Sequence, residues 1–446
     1  MRPHYCDVLI KKTILIAILL IAAIDLYAVK GLYADGSFFL YNILSREAYW
    51  DFDHPRAFAQ IVTQTPIIIG IKLNIKDITS LIYIYNFGVI GIPALVWLLA
   101  LAQHLKSSHF WTLLIAFSAT YLSSGFFAIG EYNLTYALSA YCFSTLIKGS
   151  LNRTDSILLI LSAICLTRSY EAMIFIGPVL FALAAIKLNE TAPSINTRSK
   201  LTLFFLLFLF SAAVTVSASS MLYPRDPANL AAAGNILSTI KNKQFIFLIL
   251  LTTTYFINQI PLQQAKPLTI LLFLATVILV ITSQQPWNSP SMNYTFRSAS
   301  GLILCYVFAA TLAIDIYKKY RNYSLPQSKT KFTATISLIA FAPLYFVSTT
   351  HSIDFSNWIK RFEIEAQAAS GWSPIDEFKL LAPYNGYNSF SWPWTNPSLS
   401  ILLKGDSTGG ILNSKAYIGW QPFTPEELQN KRINSFLKKS ELFIIK

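Results

Sequence analysis

The strongest constraint on this chain is its series of apolar stretches, each close to the length that crosses a lipid bilayer. A membrane helix needs about 20 apolar residues, within a range of roughly 17 to 25. Stretches of that kind fall near 13–29, 81–102, 110–129, 132–147, 201–219, 244–259, 268–282, 299–316 and 333–349. Of the 446 residues, 54% are hydrophobic and 13% charged, which lies outside the range of a soluble domain.

The placement of charge sets the topology. Net charge is +13, but the Lys and Arg residues sit in short runs between apolar stretches, where the positive bias of cytoplasmic loops accounts for them. That excludes nucleic acid as the partner and leaves the lipid bilayer as the surroundings. Between Ser156 and Ile186 the sequence fits one long helix or two short ones meeting at Arg168-Ser169-Tyr170-Glu171. Two helices, 156–167 and 172–186, keep Lys148 and Arg153, then Lys187, Arg198 and Lys200, then Lys318, Lys319, Arg321, Lys329 and Lys331 on the side of the N-terminus. A single helix would send the last two groups across, against the bias. The expectation is an all-α polytopic membrane protein of about eleven transmembrane helices, N-terminus cytoplasmic and C-terminus outside. Asn, Lys and Ile usage points to a bacterial inner membrane, and the basic 1–12 segment reads as the start of an uncleaved signal anchor. Cys6, Cys142, Cys165 and Cys305 have no CxxC or ligand spacing, so neither a disulfide framework nor a zinc site is implied.

This topology gathers a long first loop (30–77), the Arg168/Glu171 turn and loops near 221–243 and 284–297 on the outer face. A tail at 350–446 joins them, so the chain divides into a transmembrane domain, 1–349, and a small C-terminal extracytoplasmic domain, 350–446. In the tail Phe355, Trp358, Ile359, Phe362 and Ala366 recur at helical spacing, behind Ser352 or Asp354 as a cap and ahead of Gly371 as a stop. Further on, 399–403 reads as a strand within a small α/β or irregular unit.

Candidate chemistry concentrates on that face. Asp35 follows the first span by about six residues, beside Gly36, where it serves as a helix cap, as a base, or as both. Asp51, Asp53, His54 and Arg56 lie within six positions around Pro55. They are the residue types that bind a divalent metal or a phosphate, and equally those of a solvated loop. Arg168 and Glu171 are ionisable groups at membrane depth, which are costly there and functional by default; their spacing also fits a structural ion pair. Arg297 is a further cation, and Asp25 and Glu131 are intramembrane acids. Trp392 and Trp394, with Tyr384, Tyr387 and Phe390, suit stacking on sugar rings or an interfacial aromatic belt.

Taken together, Asp35 after the first span, the amphipathic 37–61 stretch, the basic residues on the outer face and the 350–446 tail resemble the integral-membrane glycosyltransferases of the GT-C fold. The chain has neither the paired adjacent acids that follow the first span in some of these enzymes nor the Trp-Trp-Asp tripeptide of the oligosaccharyltransferases. The resemblance implies a polyprenyl-phosphate-linked sugar as donor and a glycan, lipid or protein acceptor in the cell envelope. It also implies Asp35 as the base, Arg168 with Arg56 or Arg297 on the departing phosphate, and inversion at the anomeric carbon. Glu171, Asp51, Asp53, His54, Trp392 and Trp394 are then further substrate-binding residues, with a divalent metal an open question. Two other readings compete, a polysaccharide flippase or transporter and an O-antigen polymerase or ligase. A transporter places its polar residues near the bilayer midplane, whereas a polymerase centres its chemistry on a large late outer loop.

Overall fold

The computed structural model describes residues 3–50, 54–123, 131–190, 197–223, 243–259, 293–321, 327–381 and 395–412, with a few positions between 267 and 274 and at 390, 435 and 436. The described chain is mostly helical. Its first third comprises α1 (Pro3–Tyr27), α2 (Asp35–Arg46), α3 (Ala57–Lys72), α4 (Ile78–Asn86), α5 (Ile92–Ala102) and α6 (His109–Phe117). There follow α7 (Glu131–Ile147), α8 (Arg153–Leu166), α9 (Met173–Glu190), α10 (Thr197–Leu222), α11 (Lys243–Gln259), α12 (Asn293–Arg321), α13 (Gln327–Ala368) and α14 (Asn396–Lys404). Two three-residue strands, β1 (Trp372–Pro374) and β2 (Gly410–Leu412), pair in parallel with Ser373 opposite Ile411.

Local sequence explains several of the boundaries. Asp77 accepts from Ser80 N at 2.8 Å and starts α4. Asn152 and Asp155 form a reciprocal capping box that starts α8. The break expected near 168 is present, since α8 ends at Leu166 and α9 begins at Met173. Single π turns at Phe87–Gly91 and Ser118–Leu122 interrupt otherwise α-helical spans. At the first of these α3 presses so close that a Cβ on Gly88 would run into the Thr63 carbonyl.

Five helices are long and apolar enough to cross a membrane: Ile78–Ala102, Met173–Glu190, Thr197–Leu222, Ala299–Arg321 and Lys331–Ala368. His109–Leu122 and Phe245–Gln259 are shorter apolar helices. On α10, Leu201, Phe204 and Phe208 are more than 60% exposed, the outward apolar face expected of a helix solvated by lipid. The expected span 268–282 falls largely outside the described residues.

The helices pack with their basic termini together. Lys187 of α9 caps the end of α7, donating to the carbonyls of Leu146, at 2.6 Å, and Lys148. Lys148 pairs with Asp155 at 3.0 Å, Lys319 with Glu190 at 2.9 Å, and Lys11 reaches the carbonyls of Leu105 and Ser107 at 3.2 and 3.0 Å. Asp25, Asp35 and the 167–172 turn lie at the opposite end.

The C-terminal part differs from the sequence reading in two respects. First, the expected span at 333–349 and the expected separate helix behind Ser352 are one continuous helix, α13, of 42 residues. Nothing between Phe346 and Asp354 breaks it, and the Ser352 hydroxyl, instead of capping, donates to Ser348 O and to Asp25. Second, 399–403 is not a strand but part of α14, which Pro397 opens and Gly405, at φ 81°, closes. All of 395–403 is buried, so the apolar run carries no period that separates strand from helix.

His104, in the turn between α5 and α6, contacts Ser107 Oγ through Nδ1 and Ser144 O through Nε2, each at 3.0 Å. Burial, with smaller contributions from His109, Lys148 and Lys11, holds its imidazole down to about 4 despite the Ser144 contact. An unfolded imidazole protonates near 6.5, so between those values the unfolded chain binds more protons. This contribution to stability is whole above about pH 6.5 and is lost as the pH falls toward 4. Between pH 7 and 5, the melting temperature of wild-type protein in detergent should fall further than that of His104→Gln; equal falls would remove His104 as a source of acid sensitivity.

Candidate active site

Asp35 is held in place from three directions. It is the first residue of α2, with Ala34 at the N-cap position, so its carboxylate opens the helix where the dipole favours negative charge instead of capping a helix that starts at Ser37. Ala34 has φ 50° and ψ −127°, a backbone region that costs an alanine about 1–3 kcal/mol and persists only where the surroundings impose it. The imposing contacts lie just upstream. Lys30 Nζ folds back on Asp25 at 3.2 Å, and both side chains are 1% exposed. Asn86 Oδ1 accepts from Gly31 N at 2.7 Å, while its Nδ2 donates to Leu26 O at 2.7 Å. A Cβ on Gly31 would sit 2.6 Å from Asn86 Oδ1, so the turn after α1 requires glycine there.

The second support is α13, whose Ser352 hydroxyl reaches Asp25 at 2.6 Å. Its Phe355 meets Tyr33 edge-on at 5.6 Å between ring centroids. Burial, reinforced by the nearby Asp35 charge, pushes the Tyr33 phenol well above its ordinary value, so Tyr33 stays neutral. Thirdly, α14 docks on α2, with Ser37 Oγ 3.3 Å from Ser398 Oγ and 3.5 Å from Thr395 O. Asp35 itself is half-buried.

Next to Asp35 lies a polar seam along α3. Arg56, Gln60, Thr63 and Gln64 occupy helical positions i, i+4, i+7 and i+8, and all are buried. Arg56 binds Glu171 Oε1 through Nε at 3.0 Å and a terminal nitrogen at 2.9 Å, and reaches Glu131 Oε2 at 3.8 Å. Its guanidinium also lies over the Tyr170 ring at 5.2 Å. Gln60 Nε2 donates to Glu131 Oε1 at 2.8 Å. Gln64 grips the backbone of Trp50, accepting from its N at 2.8 Å and donating to its O at 2.9 Å. Tyr85 of α4 lies within the field of both Glu131 and Asp35, which ties the seam to the catalytic candidate.

The Arg168/Glu171 spacing does not form a pair. Glu171 is taken by Arg56, and Arg168 instead donates to the His54 carbonyl and lies over the Phe58 ring at 5.5 Å. Its own carbonyl accepts from Phe58 N at 3.0 Å, fixing it at the start of α3. Arg168 is half-exposed, and among the described residues no carboxylate pairs with it. Arg56 therefore belongs to an ion network with Glu171 and Glu131, whereas Arg168, among the described residues, meets no carboxylate.

Other expected site residues are distributed as follows. His54 is exposed and enters the site through its backbone carbonyl. Arg297 lies in the first turns of α12, with its side chain outside the described set. Asp51, Asp53, Trp392 and Trp394 lie outside the described residues. Among those described, no three His, Cys, Asp or Glu side chains converge as a metal site requires. Sequence reading missed Gln60 and Tyr85 and named Glu131 only as an intramembrane acid. The signal for Gln60 was present in the polar i, i+4, i+7, i+8 stripe of a helix that is otherwise apolar. No family model matches the chain, and neither a curated protein nor a solved structure matches it.

The two arginines should separate in stability. Arg56→Met strands Glu171 and the buried Glu131, a loss of about 3–5 kcal/mol. Arg168→Met gives up one carbonyl contact at a half-exposed position, about 1 kcal/mol. Thermal unfolding in detergent ranks them, and equal or reversed losses would contradict the division of roles.

Proposed function

We propose that this chain is a membrane glycosyltransferase of the GT-C type, moving a sugar from a polyprenyl-phosphate donor to a cell-envelope glycan, lipid or protein acceptor. The observation that carries the reading is the pairing of Asp35, held against its backbone preference at the first turn after α1, with an uncompensated cation, Arg168, at the same end of the bundle. A lipid phosphate is already a good leaving group, so transfer needs a base for the acceptor hydroxyl and a cation for the departing phosphate. In the reaction the acceptor oxygen forms a bond to the anomeric carbon as its proton passes to Asp35. The bond from that carbon to the phosphate oxygen breaks, and the phosphate takes the electron pair and leaves on Arg168. Attack opposite the leaving group inverts the anomeric centre.

The orientation follows from charge. Lys148, Lys187, Lys318 and Lys319 gather at the end away from Asp35, which the positive-inside bias assigns to the cytoplasm. The active site, α14 and the rest of the tail then face outward from the inner membrane, and the eleven apolar segments alternate in direction to match. A flippase reading is less well supported, because the buried ions lie toward the two ends of the bundle and not at its midplane.

Sidedness can be tested with single cysteines at exposed positions, on a background without native cysteines. Asn74 and Ser370 should label from outside in intact cells, and Ser108 and Ser150 only after permeabilisation. The opposite pattern at either pair overturns the orientation. Ser37 and Ser398 are fully buried and would report packing instead of side.

The chemistry is tested by incubating purified protein with polyprenyl-phosphate sugars and following release of free polyprenyl phosphate. Asp35→Asn should remain folded and bind donor, yet transfer at least about a hundredfold more slowly, the usual cost of a lost general base. Near-normal turnover would move the search to Asp51 and Asp53.

A further inference from the structure

The buried seam beside Asp35 has polar atoms that the fold does not use. Gln60 is 3% exposed, and its Nε2 is committed to Glu131 while its Oε1 has no hydrogen-bond partner. Tyr85 is 1% exposed, and its hydroxyl has none either. A buried polar atom without a partner is unfavourable by about 1–3 kcal/mol, and such atoms in native proteins mark water, an ion or a ligand. These two are neighbours of the same carboxylate: Glu131 accepts from Gln60 at 2.8 Å and acts electrostatically on Tyr85, as does Asp35. They come from α3 and α4, which pack together, and α3 also packs against α7, which supplies Glu131.

The chemistry of this set selects its ligand. Gln60 Oε1, Glu131 and Asp35 are hydrogen-bond acceptors, and Tyr85 can accept or donate. A phosphate would meet two carboxylates here and be repelled, whereas a neutral group rich in hydroxyls would satisfy every member. The position selects it further. Gln60 lies within one helical turn of Phe58, whose backbone N–H holds the Arg168 carbonyl. Arg168 and Gln60 thus both meet the first turn of α3, which puts a phosphate on Arg168 and a group held by Gln60 at the same end of that helix.

We propose that Gln60, Tyr85 and Glu131 form the subsite for the hydroxylated ring of the sugar being transferred, at the same end of α3 as the phosphate on Arg168. This rests on the glycosyltransferase reading and adds to it the residues that tell a glycosylated lipid phosphate from a bare one. Tyr85→Phe is the sharpest probe, because the oxygen it removes holds nothing in the fold. The variant should melt at or above the wild-type temperature.

The experiment measures binding of undecaprenyl phosphate and of undecaprenyl-phosphate-linked glucose, galactose, mannose and arabinose to purified full-length protein. Wild-type protein should bind at least one glycosylated lipid more tightly than the bare one. Tyr85→Phe and Gln60→Leu should each shrink that preference by about 3- to 10-fold, the usual loss for one hydrogen bond, with binding of bare undecaprenyl phosphate unchanged. A preference that survives intact in both variants means the orphaned atoms are satisfied by structural water alone, and the subsite falls while the enzyme reading stands. Wild-type protein that does not distinguish any of the sugars from the bare lipid would remove the enzyme reading and the subsite together.

Discussion

The pair between Asp25 and Lys30 is the interaction on which the site end of this protein depends. Two opposite charges, both fully buried, close the turn at the end of α1. An isolated charge there would be prohibitively unfavourable, so the pair needs hydrogen bonds around it as well as mutual attraction. It obtains them from elements far apart in sequence. Ser352 on α13 donates at 2.6 Å, and Tyr121 in the second π turn lies at 3.4 Å. Asn86, at the threshold of the first π turn, binds the adjoining backbone. The ends of α1 and α4, the second π turn and α13 are thus referenced to one ion pair.

The same economy governs the seam on α3. A helix lying among apolar neighbours can carry buried polar side chains only on one stripe and only if that stripe meets a matching surface. Glu131 and Glu171 supply the match for Arg56 and for one end of Gln60. What is left over is Gln60 Oε1 and the Tyr85 hydroxyl, which have no hydrogen-bond partner in the fold.

Sequence made the helical membrane architecture legible because bilayer thickness translates directly into residue counts, and charge bias added the break at 167–172 that no hydropathy window could resolve. Asp35, Arg168 and Glu171 were legible as costly ions. Their partners were not, since Arg56 and Glu171 stand 115 residues apart and local spacing favoured the wrong pair. The tail misled for a different reason. A buried run such as 399–403 has apolar residues on every side, so strand and helix leave the same trace, and only Pro397 and Gly405 mark the helix ends. The junction of span and tail helix was hidden because α13 runs past Pro343 and meets no further breaking residue between Phe346 and Asp354.

That continuity has a mechanical consequence. A 42-residue helix is about 60 Å long, twice the hydrocarbon thickness of a bilayer, so α13, with Pro343 inside it, is a continuous shaft joining the apolar helices to the part that docks α14 on α2. A shaft of this kind transmits rotation. Adding one residue on the membrane side of Ser352 would swing everything beyond it by about 100°, unseating the Asp25 contact and α14 alike. Adding a whole turn's worth would restore the angle and change only the height. Between these two anchors the length of the chain is therefore fixed in phase as well as in distance, and variation there is confined to steps that bring the helix back to the same face.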